Sequence, residues 1–400
     1  MKVLLVHNSY RFAGGEDRAV AEDRELLESH GHQTRTYTRS YAELAAVRSL
    51  GGRVRLAADV VWSRRTQREL TEVLRTWRPD VAHFHNIFPR ISPSAYAACR
   101  AVGVAVVQTL HNYRLVCVDG KLLRDARTCE LCLTASRYAG VRHSCYRGSF
   151  TQSALLTAAI ALQEKRGTWR RDVDAYVALT RFGRSVFVRA GLPPDRIFVR
   201  GNALRAPPPA PYGGPRSAIF VGRLSAEKGL WPLLEAWRDV PDVPLAVIGD
   251  GPLAPALRAA IARDGCHNVH LLGELPHDEV LERIAGSGML IFPSIWYEGL
   301  GYSLLEALAS GRPVIASDTG AQAEVVTHGV NGLLVPPGDG HAIAVAVRSL
   351  VADPDRAALI AQGARRVFEE RYSLSTSYAK LIQIYSAADA IARGAGRTAA

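Results

Sequence analysis

A glycine-bounded loop carries two cations in a position that suits phosphate binding. Residues 222–229 read Gly-Arg-Leu-Ser-Ala-Glu-Lys-Gly and contain Arg223 and Lys228. An apolar run that predicts a strand comes before the loop, and a helical pattern follows it. Glycine permits a tight turn, and the N terminus of the next helix favours anions. An Arg fork and a Lys point charge on such a loop can clamp a diphosphate, although two solvated surface cations would give the same sequence.

Two acids lie further along the chain on either side of a predicted helix start. Glu298 is in a loop after an apolar strand pattern, and Glu306 lies eight residues later inside the helix. Backbone N–H groups at the helix start suit phosphate oxygens, here those of Leu300, Gly301, Tyr302 and Ser303. One carboxylate can accept hydrogen bonds from sugar hydroxyls and the other from ribose hydroxyls. With the cationic loop in the same half of the chain, this pattern indicates a site for a nucleotide sugar.

Short apolar strands alternate with helical patterns in both halves of the chain, which is typical of parallel sheets covered by helices. A stretch rich in proline and glycine, 206–215, separates the halves and reads as a linker. We therefore predict an α/β protein with two Rossmann-like parallel-sheet domains facing each other across a cleft. The predicted domains are 1–205, with a cysteine-bearing insertion at about 115–150, and 216–375. Residues 376–400 are predicted to form a helix that packs back on the first domain, followed by a disordered tail.

The net charge of +11 is distributed unevenly along the 400 residues. Residues 1–205 carry 33 Lys and Arg against 18 Asp and Glu, whereas the rest of the chain has a net charge of −4. A basic half can attract an anionic acceptor or an anionic membrane, or it can simply be a basic surface. Nucleic acid is not expected as a partner, because no recognition motif stands out. No apolar run is long enough to span a membrane, so we expect a cytoplasmic protein, with peripheral contact to the inner membrane face left open.

Several motifs resemble the retaining glycosyltransferases of family 4, the glycosyl transferases of group 1, which have the GT-B fold. The similar segments are 221–229, Val-Ile-Gly-Asp-Gly-Pro at 247–252, the Glu-x7-Glu pair within 293–311, and 321–335. The resemblance continues upstream through Gly14-Gly15, His85-Asn86 and His111-Asn112. It implies a hexosyltransferase-type enzyme that moves a sugar from a nucleotide-diphosphate sugar to an acceptor hydroxyl and retains the anomeric configuration. Polysaccharide, glycolipid and natural-product assembly are all consistent with it.

The resemblance also implies roles for individual residues. Arg223 and Lys228 would hold the donor diphosphate, Glu298 the sugar hydroxyls and Glu306 the ribose. The donor pocket would also be lined by Gly14, Gly15, Gly249, Asp250, Gly251 and Leu275. His111 would act at the reacting centre, and Glu16, His85 and Asn112 would contact the acceptor. The donor would be UDP-, GDP- or ADP-type, and no residue pattern identifies the acceptor. A nucleotide-sugar epimerase, a phosphorylase and a catalytically silent binding module are the alternatives.

No metal is expected to take part in catalysis, because the resemblance implies that protein groups neutralise the diphosphate. A structural metal is a separate question, since four cysteines are clustered, namely Cys117, Cys129, Cys132 and Cys145. Four thiolates would suit a closed tetrahedral zinc site. Reduced thiols and disulfides remain open as alternatives.

Overall fold

The computed structural model describes residues 1–9, 14–40, 49–205, 207, 211–214 and 216–396. Half of the predicted linker, namely 206, 208–210 and 215, therefore lies outside the described residues, as does part of the glycine turn before Gly14. The chain divides into two compact units. The first consists of Met1–Leu122, Glu130–Asn202 and Ser377–Ala400, and the second of Leu123–Cys129 and Ala203–Thr376.

The first unit is built from alternating strands and helices around one parallel sheet. In chain order the elements up to residue 199 are β1 (Lys2–Ser9), α1 (Gly15–Ser29), β2 (Gln33–Ser40), α2 (Leu50–Val61), α3 (Arg64–Trp77), β3 (Val81–Asn86), α4 (Ser94–Ala101), β4 (Ala105–Leu110), β5 (Leu123–Arg124), β6 (Arg127–Thr128), α5 (Leu131–Thr134), α6 (Ala139–Arg142), α7 (Phe150–Lys165), α8 (Thr168–Arg171), β7 (Ala175–Ala178), α9 (Arg181–Arg189) and β8 (Ile197–Val199). All of them belong to the first unit except the short antiparallel hairpin β5–β6, which belongs to the second. The sheet order is β2-β1-β3-β4-β7-β8, and every pair in it is parallel. The strands β3, β4 and β7 are buried along their whole length, as expected for strands covered on both faces.

The second unit repeats this architecture. Its elements are β9 (Ala218–Val221), α10 (Leu230–Arg238), β10 (Leu245–Ile248), α11 (Ala254–Arg263), β11 (Val269–Gly273), α12 (His277–Gly286), β12 (Met289–Phe292), α13 (Tyr302–Ala309), β13 (Val314–Ser317), α14 (Gly320–Val325), β14 (Gly332–Val335), α15 (Gly340–Ala352) and α16 (Pro354–Arg371), and α17 (Leu374–Gly394) follows. The strand order is β11-β10-β9-β12-β13-β14, again all parallel. Its core includes Trp237, Leu245, Met289 and Ile315. In parallel sheets of this kind, ligands bind beyond the carboxyl ends of the strands, where β9 and β12 present their loops.

Helix α17 comes last in the chain but belongs to the core of the first unit. Leu381, Ile384, Tyr385 and Ala388 are buried in one cluster with residues of β1, β3 and β4. Both ends of the chain therefore contribute to the same core. Within the described residues, no helix is long and apolar enough to cross a membrane.

Candidate functional site

The cationic loop of the second unit begins where β9 ends and closes in a short 3-10 turn over Ala226–Lys228. Gly229 follows with φ of 70°, and a Cβ there would lie 2.0 Å from the carbonyl oxygen of Pro293. Only glycine fits so close to the neighbouring loop. The turn places Lys228 next to the acidic loop, where its Nζ donates a hydrogen bond to Glu298 Oε1 at 2.5 Å. The two predicted donor residues are thus in direct contact.

Glu298 is only 6% exposed, and it is held from two sides. Besides Lys228, the hydroxyl of Ser294 donates to its Oε1 at 2.8 Å. Gln322 in turn donates to the carbonyl oxygens of Ser294 and Trp296, each at 3.4 Å. Neither Ser294 nor Gln322 was predicted as a site residue. Ser294 precedes the acid by four residues, so its proximity could have been anticipated, whereas Gln322 comes from α14.

Glu306 lies in the middle of α13 and is 2% exposed. His277 at the start of α12 places its Nε2 3.7 Å from Glu306 Oε1, and about half of the histidine side chain is exposed. Glu306 is a buried carboxylate beside a half-exposed side chain, and it can accept hydrogen bonds from a ligand that reaches it. His277 was not predicted, because a single histidine at a helix start gives no signal of its own.

Arg223 differs from Lys228 in that its side chain is exposed. Among the described residues, no hydrogen bond or ion pair is made by its guanidinium. An exposed guanidinium beside a strand-end loop can reorient towards a phosphate without first breaking a protein contact.

The loop after β10 approaches the cationic loop backbone to backbone. Gly249 has φ of 126°, and a Cβ on it would lie 2.1 Å from the carbonyl oxygen of Gly222. At Gly251 a Cβ would lie 2.5 Å from Leu224 O, and Leu224 N donates to Asp250 O at 2.9 Å. The three predicted residues 249–251 therefore line the same loop pair as Arg223.

The remaining predicted donor residues lie at the neighbouring strand and helix ends. Leu275 is half-buried in the loop that follows β11. Gly301 is the N-cap of α13, and a Cβ there would lie 2.6 Å from the ring of Phe292. Leu300 precedes this cap, and Tyr302 and Ser303 form the first turn. A helix of this length with a glycine N-cap presents its positive end to the loop.

In the first unit, the glycines at the start of α1 are fixed by Asp17. Gly14 N donates to Asp17 Oδ2 at 3.0 Å, and Asp17 Oδ1 contacts His7 Nε2 at the same distance. Gly15 is the first residue of α1. The next residue, Glu16, accepts a hydrogen bond from Asn112 Nδ2 at 2.7 Å, so the structure brings two of the predicted acceptor residues together.

His111 follows β4, and its ring is stacked on that of His85. His85 Nδ1 and His111 Nε2 are 3.0 Å apart. Burial lowers the pKa of His111 to about 3 and lowers the pKa of His85 well below its usual value. Both rings are therefore neutral at physiological pH. The side chain of His85 is fully buried, so any effect on a substrate passes through His111.

The four clustered cysteines are all free, without a disulfide among them. Among the residues that the structure describes, no group of three or more close metal-ligand atoms includes a cysteine. Cys132 donates to Cys117, which lowers the pKa of the Cys117 thiol, and Cys132 also lies 3.9 Å from Arg137 O. A structural zinc remains a prediction that metal analysis of the purified protein tests.

Two family patterns match almost the whole chain. The pattern described as "Glycosyl transferase 4-like domain" matches residues 14–203, and "Glycosyl transferases group 1" matches residues 206–367. The chain belongs to the group 1 glycosyltransferases of family 4, whose members take a sugar from a nucleotide-sugar donor and retain its anomeric configuration. The fold, the family and the enzyme class predicted from the sequence are thereby confirmed.

Individual relatives agree with this assignment. The chain is 35% identical over 162 residues to D-rhamnosyltransferase WbpZ of Pseudomonas aeruginosa, which is 40% of this chain but only 42% of the relative. It is 29% identical to glycogen synthase of Mycobacterium tuberculosis over 78% of this chain and 70% of that protein. Among solved structures, Anabaena HepE in complex with UDP superposes with a TM-score of 0.66 at 19% identity, covering 96% of this chain and all of that one. Sucrose-phosphate synthase of Thermosynechococcus elongatus gives 0.69 at 16%, covering 96% and 98%.

Proposed function

We propose that this protein transfers a hexose from a UDP-sugar to an acceptor hydroxyl, and that the loops after β9 and β12 bind the donor. The observation that carries the proposal is the pairing of Lys228 with buried Glu298 beside the positive end of α13. The HepE structures with UDP and with UDP-glucose support uridine as the base to test first.

The chemistry follows from where the charges lie. As the bond to the sugar breaks, negative charge develops on the leaving diphosphate. Arg223, Lys228 and the N terminus of α13 would stabilise that charge, which is the usual source of catalysis in such sites. Glu298 would accept hydrogen bonds from sugar hydroxyls while it stays paired with Lys228. Glu306 would do the same for the ribose.

Nucleotide binding tests the proposal with an informative pair of variants. Arg223→Ala removes an exposed side chain, so we expect unchanged thermal stability but at least about tenfold weaker UDP binding, because a charge-assisted contact to phosphate is lost. Arg258→Ala removes an exposed arginine of α11 in the same unit and serves as the matched control. Calorimetric titrations with UDP, GDP and ADP would measure this.

Binding of GDP or ADP in preference to UDP would overturn the assignment of the base, and binding of none of them would overturn the donor site. Release of UDP from UDP-hexoses, followed by product analysis, separates a transferase from a silent module. Formation of an epimerised donor would instead indicate the epimerase alternative.

We also propose that helix α7 brings the first unit to an anionic membrane surface. Its inner face packs Leu156 and Ile160 against Val118. Its outer side nevertheless exposes large apolar side chains, since Leu155 and Leu162 are 40% and 38% exposed, and Phe150 at its start is 62% exposed. Exposed apolar side chains bordered by cations are typical of helices that lie in a membrane interface. Exposed cations lie on the segments at both ends of the helix, namely Arg142, Arg147, Lys165 and Arg166.

Vesicle sedimentation tests the membrane proposal. We expect the protein to pellet with phosphatidylglycerol vesicles but not with phosphatidylcholine vesicles, and to dissociate as salt is raised. The double variant Leu155→Glu/Leu162→Glu should lose this binding. Leu359→Glu is the matched control, because Leu359 is 67% exposed but lies on α16 of the second unit. Equal pelleting of the double variant and the wild type would refute the assignment to α7.

A further inference from the structure

A buried row of polar groups in the first unit leads to His111. Both terminal nitrogens of Arg200 donate to Asp23: Nη2 to Oδ1 at 2.5 Å and Nη1 to Oδ2 at 3.2 Å. Asp23 Oδ2 lies 3.6 Å from His85 Nε2, and His85 Nδ1 lies 3.0 Å from His111 Nε2. These four residues come from the loop after β8, from α1, from β3 and from the end of β4. We call them the His111 row.

The row does not resemble a metal site, although the ligand atoms of Asp23, His83 and His85 lie within 4.8 Å of one another. Both ring nitrogens of His83 are engaged, Nδ1 with Tyr385 OH at 2.9 Å and Nε2 with Thr109 Oγ1 at 2.7 Å. Arg200 occupies both oxygens of the carboxylate, and its positive charge would repel a metal cation. The row is therefore better understood as a chain of proton donors and acceptors.

The position of each proton in the His111 row can be assigned by starting from the carboxylate of Asp23. Burial alone would raise the pKa of Asp23, but the charge and the hydrogen bonds of Arg200 outweigh it, and the pKa is lowered. Asp23 is thus an anion that can only accept. His85 Nε2 is buried without a hydrogen-bond partner in the described chain and faces this anion. A bare lone pair there would be repelled by the carboxylate, so Nε2 carries the proton.

The proton position on His85 determines the proton position on His111. A neutral His85 with its proton on Nε2 has a bare Nδ1, which must accept. The hydrogen bond to His111 is satisfied only if His111 Nε2 donates. His111 then has a bare Nδ1. We propose that Asp23 and His85 are positioning residues that hold His111 in the Nε2–H tautomer, so that its Nδ1 accepts a hydrogen bond from a substrate hydroxyl.

The part of this inference that involves the substrate rests on the proposed function, whereas the tautomer does not. The first experiment is therefore spectroscopic and uses the unmodified protein. In ¹⁵N-histidine-labelled protein at neutral pH, the ring nitrogen shifts of His111 should show a protonated Nε2 and a bare Nδ1, with the signals assigned by their loss in His111→Asn. A protonated Nδ1 would overturn the proposal, whether or not the protein binds any nucleotide.

The second experiment removes the middle of the row. His85→Leu should leave His111 as a mixture of tautomers and lower kcat by about tenfold, the effect of losing one transition-state hydrogen bond, with the donor KM within about twofold. Tyr385→Phe is the matched control, because it deletes a buried hydrogen bond to His83 but none within the row. It should leave both the tautomer and kcat unchanged.

A His85→Leu protein whose His111 tautomer and kcat match the wild type would refute the positioning role. Should that variant fail to fold, Asp23→Asn is the replacement, since it removes the anion that orients His85 and should also produce mixed tautomers. If no variant or wild-type protein turns over a UDP-sugar, the proposed function fails while the tautomer measurement still decides the inference.

Discussion

Lys228 and Glu298 illustrate how single residues in this protein hold each other ready for a ligand. The lysine is partly exposed and the acid is buried, and the two are 2.5 Å apart. A buried carboxylate is costly without a partner, so removal of the lysine would destabilise the loop as well as the donor site. Arg223 has no such second role, which is why it is the better residue for testing the donor site.

The buried histidines of the first unit predict that acid destabilises the protein. Burial lowers the pKa of His111 to about 3, and the pKa of His83 and of His85 is also lowered. Below the unfolded pKa of about 6.5, the unfolded chain binds protons that the folded chain does not, so stability falls as pH falls. Each such histidine contributes about 1.4 kcal/mol per pH unit between its two pKa values.

Urea unfolding at about pH 7, 6 and 5 measures this dependence. We expect the wild type to lose stability faster on acidification than His111→Asn, which lacks one of the titrating rings. Equal slopes for the two proteins would contradict the buried, neutral state of His111.

At the scale of elements, apolar runs were sufficient to predict most strands. The apolar runs at 197–199, 218–221, 245–248 and 289–292 each predict a strand, and the structure has strands at these positions. The polar strand β2, Gln-Thr-Arg-Thr-Tyr-Thr-Arg-Ser, was missed because it lies at the sheet edge and buries little. Helix α7 was missed for the opposite reason. Apolar on both its buried and its exposed faces, it lacks the one-sided periodicity that identifies a helix.

The loop after β10 gives a prediction about backbone geometry. Gly249→Ala would place a methyl group 2.1 Å from Gly222 O in a backbone conformation that L residues avoid. We expect a loss of about 3 kcal/mol or more and a weaker nucleotide site, because two backbone segments would have to separate. Gly273→Ala is the control, since it has φ of 74° but open space around the added methyl group, and should cost only about 1–2 kcal/mol.

Chemical denaturation of the two variants makes this comparison. Equal losses of stability would show that the close approach of the two loops does not hold in solution.

At the scale of the whole molecule, the donor site was easier to predict than the surroundings of His111. Arg223, Lys228, Glu298 and Glu306 lie in two compact motifs that a single sequence displays. The His111 row depends on Asp23 and Arg200, which are 177 positions apart, and nothing in either neighbourhood indicates the other. The spacing of the four clustered cysteines does not give the direction in which each sulfur points, so it does not decide between zinc, reduced thiols and disulfides. The roles of the predicted site residues, the domain boundaries and the state of the metal stay predictions.

The return of α17 to the first unit has a consequence for how the chain is made. Tyr385, which holds His83 in the core, is translated after the entire second unit. On the ribosome the first unit can form its sheet early, but its core stays open until the last helix emerges. By the time α17 emerges, the second unit has been synthesised in full, and it has a core of its own. The first unit is thus the first to begin synthesis but the last to have its complete core. A ribosome that stalls before α17 would leave the first unit, not the second, as the substrate for chaperones and proteases.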